Sequence, residues 1–178
     1  MIIVIDNNDS FTYNLIDYIK IETSHCVEVL KVTEVTVALL EELTIEAIVI
    51  SPGPGKPSDY PILKSVLDRY ASSVPILGIC LGFQLIYEYY GGEIIHGPKP
   101  VHGHTTPIIH TGKGLFKHLP QNFNVMRYHS LIANRQQLPS QLNTTATNNE
   151  GIMMAFEHDT LPIFAVQYHP ESCLLYTS

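Results

Sequence analysis

Five short runs rich in isoleucine and valine punctuate the chain, at Ile2–Ile5, Val27–Val32, Ala47–Ile50, Pro75–Ile79 and Ile163–Gln167. Read as continuous rather than alternating, they suit strands of a parallel sheet covered on both faces. Helix-length segments separate them in the first half. Phe11–Lys20 places Leu15 and Ile19 on one face, with Asp9 or Ser10 able to cap its start. Ile62, Leu63, Val66, Leu67 and Tyr70 mark a second helix, and Leu81, Leu85, Ile86 and Tyr89 a third that Gly91-Gly92 ends. The order strand, helix, strand, helix, strand predicts an α/β fold. Its sheet is doubly wound and mainly parallel, with helices on both faces and ligand sites beyond the carboxyl ends of the strands. From Glu93 to about Phe156 the pieces are shorter and more polar, with turns at Gly97-Pro98, Gly112–Gly114 and Asn148–Gly151. They predict a small antiparallel flank. No repeat or linker divides the chain, so residues 1–178 read as a single domain.

Bulk composition removes several function classes. Ten basic against seventeen acidic side chains give a net charge of −7, the wrong sign for a chain that binds nucleic acid by neutralising phosphates. No apolar run approaches the roughly 20 residues of a membrane helix. Met1–Ile5 lacks basic residues and meets Asp6 at once, as a strand does and a signal peptide does not, so a cytoplasmic location is expected. Three cysteines (Cys26, Cys80, Cys173), an odd number without CxxC spacing, argue against a disulfide framework or zinc site. Cys26, in a strand-like run, reads as core. His102-Gly103-His104 has a spacing that can bind metal, but no cysteine or acidic cluster adjoins it, and no metal site is expected.

Cys80 follows the fourth apolar run directly and has Gly78 and Gly82 two residues to either side. A nucleophile on a sharp strand-to-helix turn needs small residues at those two positions, because the turn folds them against each other; the same sterics underlie the Gly-x-Ser-x-Gly elbow of hydrolases. The turn also sets the sulfur at a helix start, where unpaired N–H groups and the positive dipole end face it. A tight turn after a core strand explains the pentapeptide equally well, so the rest of the chain must decide.

Three other segments bear on that choice. Gln167-Tyr168-His169-Pro170-Glu171 follows the last apolar run. Pro170 disfavours helical geometry at His169, and with the segment read as extended chain, His169 and Glu171 share one face, where the carboxylate can steer the imidazole. Cys80, His169 and Glu171 then supply nucleophile, base and orienting acid. Ser51-Pro52-Gly53-Pro54-Gly55 after the third run is a stiff loop whose glycines keep their N–H groups and allow close approach, as an oxyanion site requires; an ordinary turn is the plain alternative. It is not a phosphate loop, because Pro57 stands where Ser or Thr is required and Ile50 where the first glycine belongs. Arg127-Tyr128-His129-Ser130-Leu131 is polar and aromatic and by itself fits a solvated strand end.

Together, in this order and spacing, the Gly78–Gln84, His169–Glu171 and Ser51–Gly55 segments resemble those of the class I glutamine amidotransferases, over nearly the whole chain. The opening Asp6–Leu15 is similar to the signature of a narrower branch, the small subunits of anthranilate synthase and aminodeoxychorismate synthase. The resemblance implies a flavodoxin-like domain with a Cys80–His169–Glu171 triad that hydrolyses L-glutamine through a thioester. It implies an oxyanion site at the N–H groups of Gly53 and Leu81, and glutamine held by Gly53, Pro54, Gly55, Gln84, Ser130 and Leu131. It also implies a larger chorismate-binding partner subunit that receives ammonia, with no cofactor in this chain and Mg2+ in the partner. Anthranilate, toward tryptophan, is the first expected product; aminodeoxychorismate, toward folate, or both, is the alternative. The chain departs from the family pattern in two places. Ser172–Ser178 ends abruptly where a further helix-forming stretch is expected, so the chain reads as truncated or its last residues as foreign, and His104 stands where a lysine is expected. Two rival readings are an unrelated cysteine hydrolase on a similar sheet and a binding module that keeps the fold without the chemistry.

Overall fold

The computed structural model describes residues 1–173; residues 174–178, most of the stretch read as an abrupt end, lie outside the described residues. Four of the five apolar runs form strands close to their expected limits: β1 (Ile2–Asp6), β2 (Val27–Lys31), β3 (Ala47–Ile50) and β4 (Ile76–Ile79). The intervening helices are α1 (Thr12–Glu22), a short α2 (Val37–Glu41) that the sequence pattern did not mark, α3 (Pro61–Tyr70) and α4 (Leu81–Tyr89). The polar middle folds into β5 (Ile94–His110), β6 (Asn124–Ala133), β7 (Leu142–Asn148) and β8 (Met153–His158); the fifth apolar run forms β9 (Ile163–Val166), and α5 (Pro170–Cys173) follows. One sheet results, in the order β2-β1-β3-β4-β9-β8-β7-β5-β6. Its first five strands are parallel and the remaining pairings antiparallel, which is the doubly wound sheet with its flank.

Successive residues of a strand point to opposite faces, and here each face has its own core. Ile3, Ile5, Ile48, Ile50 and Ile76 pack with Leu63 and Leu67 of α3 and Phe83 and Ile86 of α4. Val4 and Val49, which alternate with them in sequence, pack together with Ile79 and Val166 and with Leu15 and Ile16 of α1. Burial on both faces is why the central runs are continuously apolar. β2 lies at the sheet edge and leaves Val29 partly exposed. Cys26, expected in the core, is exposed: it precedes this edge strand, and its carbonyl accepts the Ile2 N–H at 2.7 Å.

The start of α1 also differs from expectation. The helix begins at Thr12, and Asp9 acts one turn earlier: its Oδ2 accepts the Phe11 N–H at 2.9 Å, closing a turn of the kind aspartate favours. No helix among the described residues is long and apolar enough to cross a membrane.

The turn between β4 and α4 shows why both flanking glycines are required. A Cβ on Gly78 would lie 2.6 Å from the carbonyl carbon and oxygen of Gly82, and one on Gly82 would lie 2.5 Å from the Ile50 carbonyl oxygen. These neighbours are backbone and cannot swing away. Gly82→Ala is therefore expected to cost about 1–3 kcal/mol as overpacking. In calorimetry that is a fall in Tm of roughly 3–10 °C for a domain of this size. An unchanged melting curve would show that the turn tolerates a side chain.

Candidate active site

β1, β3, β4 and β9 run parallel and adjacent, so the loops after them converge. Cys80 ends β4 and caps α4 with φ 53° and ψ −96°, a conformation that costs a non-glycine residue on the order of 1–3 kcal/mol. Its N–H donates to the Val166 carbonyl at 2.9 Å, which pins the strained turn to β9. The sulfur is nearly buried, with Gln167 Nε2 at 3.7 Å and the Tyr128 carbonyl oxygen at 3.9 Å.

His169 and Glu171 come from the turn after β9. The expected extended geometry is corrected at this point: Pro170 opens α5, and Glu171 lies in its first turn. Proline restricts the residue before it but suits the first position of a helix, where no N–H is needed. The pairing follows from the helical turn just as well, with His169 Nδ1 at 2.6 Å from Glu171 Oε1 and both side chains buried. That bond fixes Nδ1 as the protonated nitrogen and turns Nε2 toward Cys80. Burial alone would discharge the imidazole, but its hydrogen bonds to Cys80 and Glu171 and their charges outweigh it and hold the His169 pKa up to about 10. The ring stands edge-on to Phe11 and Tyr128, at centroid distances of 5.8 and 5.1 Å, and its backbone N–H donates to the Met126 carbonyl at 2.9 Å.

The loop after β3 is clamped from β1. The Asn7 N–H donates to Ser51 Oγ at 2.9 Å, Asn7 Nδ2 donates to the Ser51 carbonyl at 2.8 Å, and both residues are fully buried. Gly53 is thereby set against Asn7 and Leu81; a Cβ there would lie 2.6 Å from Asn7 Cβ and 2.9 Å from Leu81 Cδ2. Tyr60 Oη donates to the Pro54 carbonyl at 2.7 Å and steadies the far side of the loop. A cavity of about 200 Å³ opens over the sulfur, and its walls include Gly53, Pro54, Gly55, Cys80, Leu81, Gln84, Ser130 and Leu131. Every residue the sequence suggested for oxyanion or glutamine contact thus meets at one place. His169 and Glu171 are outside this lining, with His169 in contact with Cys80.

Other members had no sequence signal of their own. Gln167 links Gln84 to Cys80, since its Oε1 accepts from Gln84 Nε2 at 3.4 Å. Tyr128 and His129 complete the cavity wall. Asp9 brings a carboxylate oxygen within 4.8 Å of ligand atoms of His169 and Glu171, and burial raises its pKa. Nδ1 of His169 is taken by Glu171 and its other side by Cys80, so this trio reads as part of the triad's surroundings. His102 packs edge-on to Tyr128, and neither it nor His104 joins a group of three or more potential metal ligands among the described residues.

A strained, pinned thiol, an imidazole steered by a buried carboxylate and a small polar cavity define a cysteine-dependent acyl-transfer site on an open α/β sheet. Residues 3–175 match the family described as Glutamine amidotransferase class-I, and the chain belongs to that family. It is 41% identical over 174 residues to the aminodeoxychorismate/anthranilate synthase component 2 of Bacillus subtilis, covering 98% of this chain and 89% of that protein. It is 42% identical over 174 residues to the bifunctional protein TrpGD of Thermotoga maritima, covering 97% of this chain but only 30% of that longer protein. The crystal structure of a glutamine amidotransferase from Thermotoga maritima superposes with a TM-score of 0.78, covering 96% of this chain and 75% of that one. At 18% identity that likeness speaks for the fold alone.

Proposed function

We propose that this chain is the glutaminase component of a chorismate-aminating synthase. The observation that carries the reading is Cys80 in its strained cap position, at the floor of a cavity sized for a small amide and beside a buried His169–Glu171 pair outside the cavity lining. In this reading glutamine enters with its side-chain amide over the sulfur. The thiolate adds to the amide carbon, and the oxyanion meets the N–H groups of Gly53 and Leu81, the latter unpaired at the first position of α4. His169, holding the thiol proton, passes it to the leaving nitrogen, and the C–N bond breaks to give ammonia and a glutamyl thioester. Water, deprotonated by His169, then releases glutamate and restores the thiol. Glu171 keeps the imidazole in the one tautomer that can do both. Gly55, Pro54, Gln84, Ser130 and Leu131 hold the rest of the substrate.

Ammonia is assigned to a larger chorismate-binding subunit, because the component 2 relatives carry the name of such an assembly. Chorismate binding and Mg2+ belong to that partner. Anthranilate is the favoured product, with aminodeoxychorismate as the second reading because the Bacillus relative is named for both. Reconstitution with each type of large subunit decides between them. For the glutaminase itself the test is covalent: a glutamine-mimicking chloroketone should alkylate Cys80 in the folded chain, and millimolar glutamine should protect it. Absence of labelling in folded protein would overturn the assignment.

A further inference from the structure

β6 carries Ser130 and Leu131 into the cavity at a place where its own ladder fails. Leu131 pairs with His96 of β5 and His129 with Val101, so five steps along β5 answer two along β6. The main chain beside the cavity therefore lacks the regular bonds that would hold it, and side chains take their place. His129 Nδ1 lies 2.9 Å from the Leu131 carbonyl oxygen, and Gln84 Nε2 donates to the same oxygen at 3.4 Å. Arg127 Nε donates to His129 Nε2 at 3.1 Å. An arginine nitrogen only donates, so Nε2 is the acceptor and Nδ1 carries the proton given to Leu131. Both Arg127 and His129 are more than nine-tenths buried.

We propose that His129, locked in one tautomer by Arg127, is a positioning residue that fixes the Leu131 carbonyl and so the cavity wall glutamine binds against. This rests on the glutaminase reading above. Electrostatics agree with the geometry. Burial first, then the charges of Arg127 and His169, push the His129 pKa down to about 4, so the ring stays neutral while His169 beside it carries the proton. The titratable and charged groups around it are Arg127 on its own strand, His169 after β9 and Cys80 at the head of α4.

Two polar replacements separate the two nitrogens. Asparagine places a donor near the old Nδ1 and should keep the bond to Leu131; glutamine reaches the Nε2 position, meets Arg127 and loses that bond. In glutamine hydrolysis by the complete synthase, His129→Asn is expected to hold KM within about threefold of the parent. His129→Gln should raise KM about tenfold or more with kcat within about threefold, because His129 touches no reacting atom. Equal KM values in both variants, or equal losses of kcat and KM, would overturn the proposal. The glutamine-protected labelling of Cys80 in the parent chain reports on the glutaminase reading separately, so a failure of one is not mistaken for a failure of the other.

Discussion

Cys80→Ala is expected to lower glutamine-dependent product formation by the assembled synthase roughly 10⁴–10⁶-fold, the scale of losing a triad nucleophile. Synthesis from added ammonium should persist at the parent rate, because in the proposed assembly ammonium would bypass the thioester and enter at the partner. The comparison matters because Cys80 is also structural: its N–H bonds to Val166 and its backbone holds a strained conformation. Alanine keeps the N–H and removes only the sulfur. If both activities fall together, the residue serves the fold or the interface rather than the chemistry.

Glu171→Gln is the second large effect, expected at on the order of 10³–10⁴ in kcat with little change in KM. The carboxylate accepts the His169 Nδ1 proton at 2.6 Å, with both side chains buried. An amide of the same shape can present N–H instead, which stabilises the wrong tautomer and withdraws the charge opposite the imidazolium. A stability signature accompanies the rate loss. The His169 pKa lies near 10 in the folded chain against about 6.5 unfolded, so the folded state binds the proton more tightly. Its contribution to stability is complete below about pH 6.5 and is lost as pH rises through about 10. Denaturant unfolding across that window should show stability declining with pH in the parent and declining less in Glu171→Gln. Parallel curves would mean that Glu171 does not sustain the imidazolium.

Much of this was legible in the chain itself, for physical reasons that can be named. The central strands sit between two cores, so their residues are apolar without alternation and stand out. Gly78, Gly82 and Cys80 were readable because a turn that brings backbone within 2.6 Å of a missing Cβ leaves no other residue type. The limits of such reading are equally specific. α2 spans only Val37–Glu41, too short for a helical period to show. Glu171 was placed correctly beside His169 but through the wrong backbone, since a proline that forbids helix before it also begins one. Cys26 was misplaced because a strand-like run does not reveal that its strand lies at the sheet edge. Arg127 and His129 looked like a solvated strand end, and only the register break between β5 and β6 shows them to be buried supports. No local pattern encodes a mismatch between two strands distant in sequence.

The sheet divides the labour of the site between two kinds of strand. Cys80, His169 and the Ser51–Gly55 loop all issue from the parallel half, while Ser130 and Leu131 arrive on the antiparallel flank, with the Met126 carbonyl bonded to the His169 N–H where the two meet. Reactivity and substrate grip thus come largely from different strands. Changes along β5 can reshape the wall that β6 presents to the cavity, whereas changes at Met126 or Tyr128 of β6 also reach His169 and the Cys80 sulfur. The flank is the wall of a site whose thiol and imidazole are held from the other half of the fold.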